Sequence, residues 1–121
     1  MPLENCEQLQ VVKYGPGGFF KAHYDSASDD SEASVIFRSN GGNRILTILI
    51  LLSDPYEYEG GETVFTKLNK KFKINKGDAI LFYSLNPEGK ENVLSEHSGS
   101  EIKSGEKMIA NIWIREKQFN I

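Results

Sequence analysis

Nine residues, Arg44 to Leu52, read Arg-Ile-Leu-Thr-Ile-Leu-Ile-Leu-Leu, and no other stretch of this 121-residue chain constrains its fold as sharply. Near-continuous Ile and Leu, broken only by Thr47, predict a β-strand buried on both sides. The apolar part is far short of the ~20 residues needed to cross a bilayer, so no membrane segment is expected. Around it the sequence falls into short apolar runs closed by turn residues: Leu9 to Tyr14 before Gly15-Pro16-Gly17-Gly18, then Phe19 to Asp25, Thr63 to Phe65, Lys71 to Ile74, Ala79 to Tyr83, Asn92 to Glu96 and Lys107 to Arg115. Gly60-Gly61 and Gly77-Asp78 are further turn signals. No convincing amphipathic helix, repeat or heptad is visible. About eight strands in this rhythm predict an all-β sandwich or barrel.

Size and composition fit one soluble domain, 1–121, whether it stands alone or is a piece of a longer protein. A net charge of −3 disfavours a broad contact with nucleic-acid phosphate. Cys6 is the single cysteine, so no internal disulfide forms, and it reads as a small apolar filler or an exposed thiol. Met1 to Gln10 has no signal-peptide pattern, which leaves a cytoplasmic location as the expectation. One segment breaks the rhythm: Ser26 to Asn43 is long and polar, with only Val35-Ile36-Phe37 apolar. It is expected either to overhang a site as a lid or to be a solvated insertion.

The chain has two histidines, and both belong to one constellation: His23-x-Asp25, then His97, then Lys107. Residues i and i+2 of a strand share a face, so His23 and Asp25 present their side chains together. A third ligand must come from a distant strand, and His97 is the histidine left. Two imidazoles and a carboxylate are the facial set that holds iron(II) and leaves coordination positions open. Zinc accepts the same donors. Alone, His-x-Asp is a weak signal that a surface strand produces by chance, and His97 reads equally well as a loop-edge residue. The joint pattern favours a metal.

Lys107 opens a strand that places Lys107, Ile109, Asn111, Trp113 and Arg115 on one face. If that face lines the interior, an inward lysine needs an anionic partner, such as the far carboxylate of a dicarboxylic co-substrate. The competing reading is a solvated lysine after the Lys103–Glu106 turn. Tyr14 and Thr63 are hydroxyl donors at strand ends, able to bond the same carboxylate or to serve as ordinary strand residues. Together the constellation suggests an iron- and 2-oxoglutarate-dependent oxygenase.

The resemblance then becomes specific. Leu9-Gln10-Val11-Val12-Lys13-Tyr14-Gly15, His23-Tyr24-Asp25, Arg44-Ile45-Leu46-Thr47, Gly60 through Phe65, Lys76-Gly77-Asp78-Ala79, His97-Ser98-Gly99 and Gly105 through Ile114 follow in an order that resembles the prolyl 4-hydroxylase family of 2-oxoglutarate oxygenases. The resemblance implies a double-stranded β-helix, or jelly roll. It implies His23, Asp25 and His97 as iron ligands, and Lys107, supported by Tyr14 and Thr63, on the C5 carboxylate of 2-oxoglutarate. It also implies O2 as co-substrate, ascorbate as reductant, a proline-containing peptide or protein as substrate, and Arg44 and Trp113 as contacts to it. Phe20 stands where members often carry a tyrosine near the substrate proline, Met108 where a tryptophan often follows the lysine, and Arg115 where a histidine can occur. Phe20 and Arg115 thus join the substrate-binding candidates while putting substrate identity in question. Two alternatives stay open: an oxygenase acting on another amino acid or a small molecule, and a non-catalytic jelly-roll binding module.

Overall fold

In the computed structural model, which describes residues 2–121, the apolar run becomes the third of ten strands. In chain order the elements are β1 (Gln10–Tyr14), β2 (Phe20–His23), α1 (Glu32–Arg38), β3 (Arg44–Leu51), β4 (Tyr58–Gly60), β5 (Thr63–Phe65), β6 (Lys70–Phe72), β7 (Ala79–Tyr83), β8 (His97–Gly99), β9 (Ile102–Gly105) and β10 (Lys107–Arg115). Every pairing is antiparallel. Two four-stranded sheets result, ordered β1-β10-β3-β7 and β2-β8-β5-β6, with β4 and β9 pairing separately. Residues of both larger sheets line one cavity between them, the arrangement of a double-stranded β-helix. Among the described residues, no helix is long and apolar enough to cross a membrane.

The long sheet is built on the pairing of β3 with β10, which runs in register from Ile109↔Leu51 to Ile114↔Leu46. β-Branched side chains favour such a pleated, packed surface. Leu49, Leu51 and Ile109 form the buried core cluster, with Val12, Tyr14 and Ile74 packed against it. Each fully buried side chain of this kind contributes ~1.5–3 kcal/mol.

β3 departs from expectation on its other side. Ile48 and Ile50 are only half-buried. Their face also carries Leu81, opposite Ile48, and Tyr83, opposite Leu46, both more than half exposed. The long sheet therefore buries one face fully and the other only in part: Leu46, Ala110 and Ile114 are covered there, while Ile48, Ile50, Leu81 and Tyr83 leave an apolar area open.

Three further departures have local causes. Asn92 to Glu96, expected as a strand, is a 3-10 turn over Val93–Ser95. The Asn92 side chain accepts from the Leu94 N–H at 3.3 Å, and its carbonyl accepts from Ser95 N at 2.9 Å and Ser95 Oγ at 2.7 Å. These bonds compete with extended pairing. Second, the Ser26–Asn43 segment contains α1, where no helix is expected. Ser31 caps it by accepting from Ser34 N at 3.2 Å, and Glu32 and Arg38 sit at the ends that suit their charges. Third, β4 and β9 lack apolar alternation and pair around glycines. Gly60 and Gly61 both take positive φ, 77° and 68°, which strains any residue with a side chain. A Cβ on Gly61 would meet the Ile102 side chain at 2.5 Å.

Candidate metal centre

The short sheet brings the two histidines together. β2 pairs with β8, and His23 lies directly opposite His97. Asp25 sits two residues past His23, just beyond the strand end, yet still turns to the same point. His23 Nδ1 donates to the Lys21 carbonyl and His97 Nδ1 to the Ser95 carbonyl, each at 2.8 Å. A carbonyl can only accept, so each neutral ring carries its proton on Nδ1 and offers Nε2 as a ligand. Asp25 Oδ1 lies 3.3 Å from His23 Nε2 and 3.6 Å from His97 Nε2. A ligand atom from each of the three residues lies within 4.8 Å of the other two. A facial set with ~2.1 Å bonds has edges of ~3 Å, so donor chemistry and spacing both suit a divalent metal such as iron(II).

Electrostatics prepare the three differently. Burial pushes the Asp25 carboxyl up, but the hydrogen bond that His23 donates once protonated, the charge of His97 and the hydrogen bond from Thr47 outweigh it and hold the group at about 2. Burial also lowers His23, but its hydrogen bonds to Asp25 and the Lys21 carbonyl leave it above its ordinary 6.5. For His97 burial prevails over the attraction of Asp25, and its pKa falls below 6.5. The site thus holds a carboxylate and at least one imidazole that is neutral near pH 7.

The three face a cavity of about 540 Å³ whose wall includes Tyr14, Thr63, Lys107, Phe20, Arg44 and Trp113. Its size lies within the range that encloses a small ligand. Lys107 is 5% exposed, and its Nζ donates to the Gly61 carbonyl at 2.6 Å. Burial lowers its pKa to about 8, partly offset by the charge of Glu62 and reinforced by that of Lys73. The solvated reading of this lysine is thereby set aside. Tyr14 pairs directly across from it on β1, and the buried Thr63 opens β5.

Another part of the wall is aromatic and cationic. Phe20 is half exposed, with its ring centroid 4.2 Å from that of His23. Arg44 lies over the Trp113 ring, 3.9 Å from its centroid. Its guanidinium donates to both oxygens of Glu7, at 2.7 and 3.0 Å.

Arg115 is placed elsewhere. It is 4% exposed and is absent from the cavity wall. Its Nε donates to Glu7 at 2.8 Å, and Nη1 donates to the carbonyls of Phe37 at 2.5 Å and Gly42 at 2.8 Å. These bonds commit it to holding the chain together, so it is withdrawn from the substrate-contact residues. The Ser26–Asn43 segment also stays off the wall: none of residues 26–43 lines the cavity. It is closed on itself by reciprocal hydrogen bonds between Ala27 and Asn43, at 2.9 and 3.0 Å.

Two residues that support the site were given no role in it from the sequence. Thr47 read there as a break in an apolar run, yet its hydroxyl donates to Asp25 Oδ2 at 2.6 Å. Glu7 gave no signal, because its partners lie 37 and 108 positions away.

A family model described as the 2OG-Fe(II) oxygenase superfamily matches residues 9–115. The chain is 46% identical over 121 residues to a protein of Acanthamoeba polyphaga mimivirus named a candidate prolyl 4-hydroxylase, covering 99% of this chain and 49% of that protein. It is 37% identical over 130 residues to prolyl 4-hydroxylase 1 of Arabidopsis thaliana, covering 97% of this chain and 44% of that one. The chain thus spans about half the length of these curated relatives. Among solved structures, the viral collagen prolyl hydroxylase of Paramecium Bursaria Chlorella virus-1, in its 2OG complex, superposes with a TM-score of 0.78 at 39% identity, over 92% of this chain and 59% of that one.

Proposed function

The chain belongs to the 2OG-Fe(II) oxygenase superfamily, and within it to the prolyl 4-hydroxylase family; from that premise we propose that residues 1–121 form a catalytic domain that hydroxylates prolyl residues in a peptide or protein. The observation that carries the reading is the convergence of His23 Nε2, Asp25 Oδ1 and His97 Nε2 on one point of a cavity that also holds a buried lysine. Iron(II) and 2-oxoglutarate, when bound, supply the oxidising chemistry, with O2 consumed, succinate and CO2 released, and ascorbate as the reductant that keeps the iron ferrous.

The chain's own residues do the rest. His23, Asp25 and His97 hold the metal, and their single negative charge offsets part of its double positive charge. Lys107 meets the C5 carboxylate of 2-oxoglutarate. Its present bond to the Gly61 carbonyl keeps the ammonium aimed and satisfied until that anion arrives. The Tyr14 and Thr63 hydroxyls add donors to the same carboxylate. Fixing both ends of the co-substrate sets its orientation before reaction. Phe20, Arg44 and Trp113 line the path of the substrate. Arg44 offers a cation already held by Glu7, and Trp113 a flat surface for a proline ring.

The test is to incubate the purified chain with iron(II), ascorbate, 2-oxoglutarate and a panel of proline peptides, then weigh the products by mass spectrometry. Gain of one oxygen on proline, matched by succinate, is the expected result. Turnover of 2-oxoglutarate with no peptide modified would keep the cofactor sites and overturn the prolyl substrate.

A further inference from the structure

We infer that Thr47 and Trp113 are a pair of positioning residues that hold Asp25 as a one-oxygen ligand, and thereby set the affinity and geometry of the metal site. The inference rests on the ligand role assigned to Asp25 above. Neither residue touches the metal position; both act through the carboxylate.

Thr47 is the one polar side chain in the interior of the most apolar strand, and it is 1% exposed. A hydroxyl buried that deeply is costly unless bonded. Its bond goes to Asp25 Oδ2 at 2.6 Å, and a carboxylate oxygen only accepts, so the hydroxyl donates. Trp113 Nε1 reaches the same oxygen at 3.2 Å, and an indole N–H can only donate. The two donors are not independent in origin. Thr47 and Trp113 are direct cross-strand partners in the β3–β10 pairing. One rung of the long sheet therefore presents two donors on one face, at one height, to a ligand beside the short sheet.

The two oxygens of Asp25 are consequently unequal. Oδ2 carries both donors from the long sheet, while Oδ1 faces the two imidazole nitrogens. A carboxylate free to rotate can bind a cation through both oxygens and occupy an additional coordination position. With Oδ2 engaged twice, Asp25 presents Oδ1 alone, which preserves the open positions that a 2-oxoglutarate oxygenase requires. Hydrogen bonds of this kind to ligating carboxylates govern metal affinity. Trp113 adds a link outward, because the ring that donates to Asp25 also lies beneath Arg44.

The experiment measures Mn2+ binding to the apo-protein by electron paramagnetic resonance, which counts free ion and senses the coordination of bound ion. Thr47→Val keeps the shape and removes the donor; Thr47→Ser keeps the donor; Trp113→Phe removes the second one. Thr47→Val is expected to weaken Mn2+ binding about 10- to 100-fold and to change the bound-ion spectrum. Thr47→Ser should restore both. Trp113→Phe should change the spectrum in the same sense with a smaller loss of affinity, its bond being the longer. Thr47→Val that binds Mn2+ as tightly as the parent with the same spectrum overturns the inference. So does an equal loss in Thr47→Val and Thr47→Ser that tracks a fall in melting temperature. If Thr47→Val does not fold, Trp113→Phe decides, and parental affinity and spectrum there overturn it. An unaltered protein that binds no Mn2+ overturns the metal assignment itself.

Discussion

The two four-stranded sheets divide the work unequally. In the sheet β1-β10-β3-β7 the strands have 5, 9, 8 and 5 residues, and registers run without a break over most of their length. In the sheet β2-β8-β5-β6 they have 4, 3, 3 and 3, with a register shift between Phe20 and His23. The long sheet supplies the Leu49–Leu51–Ile109 core, and the short one supplies both histidines. Side chains of the long sheet also reach across to the short side, Thr47 and Trp113 to Asp25 and Lys107 to the Gly61 carbonyl. The proposed ligands therefore sit where the local ladder is weakest, with Asp25 held by side chains of the stronger sheet.

This division can be broken or sharpened in order of expected effect. Removing a ligand should cost function without the fold: His97→Ala should abolish detectable 2-oxoglutarate decarboxylation and Mn2+ binding while secondary structure by circular dichroism persists. A variant that kept turnover would break the assignment of chemistry to the short sheet. Removing a core side chain should do the reverse. Leu49→Ala is expected to lower stability by about 2–5 kcal/mol, read by urea unfolding. Val64→Ala, at the half-buried position of β5, should cost less, under about 1 kcal/mol. Equal losses at the two positions would erase the contrast between the sheets.

The bridging lysine should fall between. Lys107→Ala is expected to weaken 2-oxoglutarate binding by about 10- to 100-fold, the size of a charge-assisted hydrogen bond of ~1.5–3 kcal/mol. Isothermal titration of the metal-loaded protein measures this.

The same lysine gives a pH signature. Its pKa lies near 8 in the folded chain, below the ordinary 10.5. Between those two values the unfolded state binds more protons, so stability should rise with pH across that window. Affinity for 2-oxoglutarate should fall over the same range as the ammonium loses its charge. Parallel titrations of melting temperature and binding, with Lys107→Ala as reference, test the opposite signs.

Glu7 should show the smallest effect. Burial raises its pKa, but the hydrogen bonds and charges of Arg44 and Arg115 more than compensate and leave it below 4.5. Its contribution to stability should be complete above that value and be lost as pH falls through the folded pKa. In Glu7→Gln the acid end of the stability profile should flatten.

How much of this was legible in the sequence depended on the range over which each signal acts. β3 and β10 were readable because apolar content and period-2 alternation are local, and the same alternation put Lys107 and Trp113 on the cavity face. His23 and Asp25 were readable from their spacing. The Asn92–Glu96 turn was not, because a single asparagine cap overrides an apolar pattern. Arg115 was misplaced for a different reason. Its alternation puts it with Trp113, but Glu7, 108 residues away, captures its guanidinium. Thr47 was seen and passed over, since only the third dimension shows which oxygen a buried hydroxyl meets.

Trp113 is the chain's single tryptophan. Its indole N–H rests on Asp25, and its ring lies under Arg44. All tryptophan fluorescence of this protein therefore originates between the proposed metal ligands and the proposed substrate wall. A paramagnetic ion seated at the three ligands should quench that light, and a peptide that displaces water from the ring should shift its colour. With the proposed site, that single residue would serve as a native optical reporter, separating metal loading from substrate docking in an unlabelled sample.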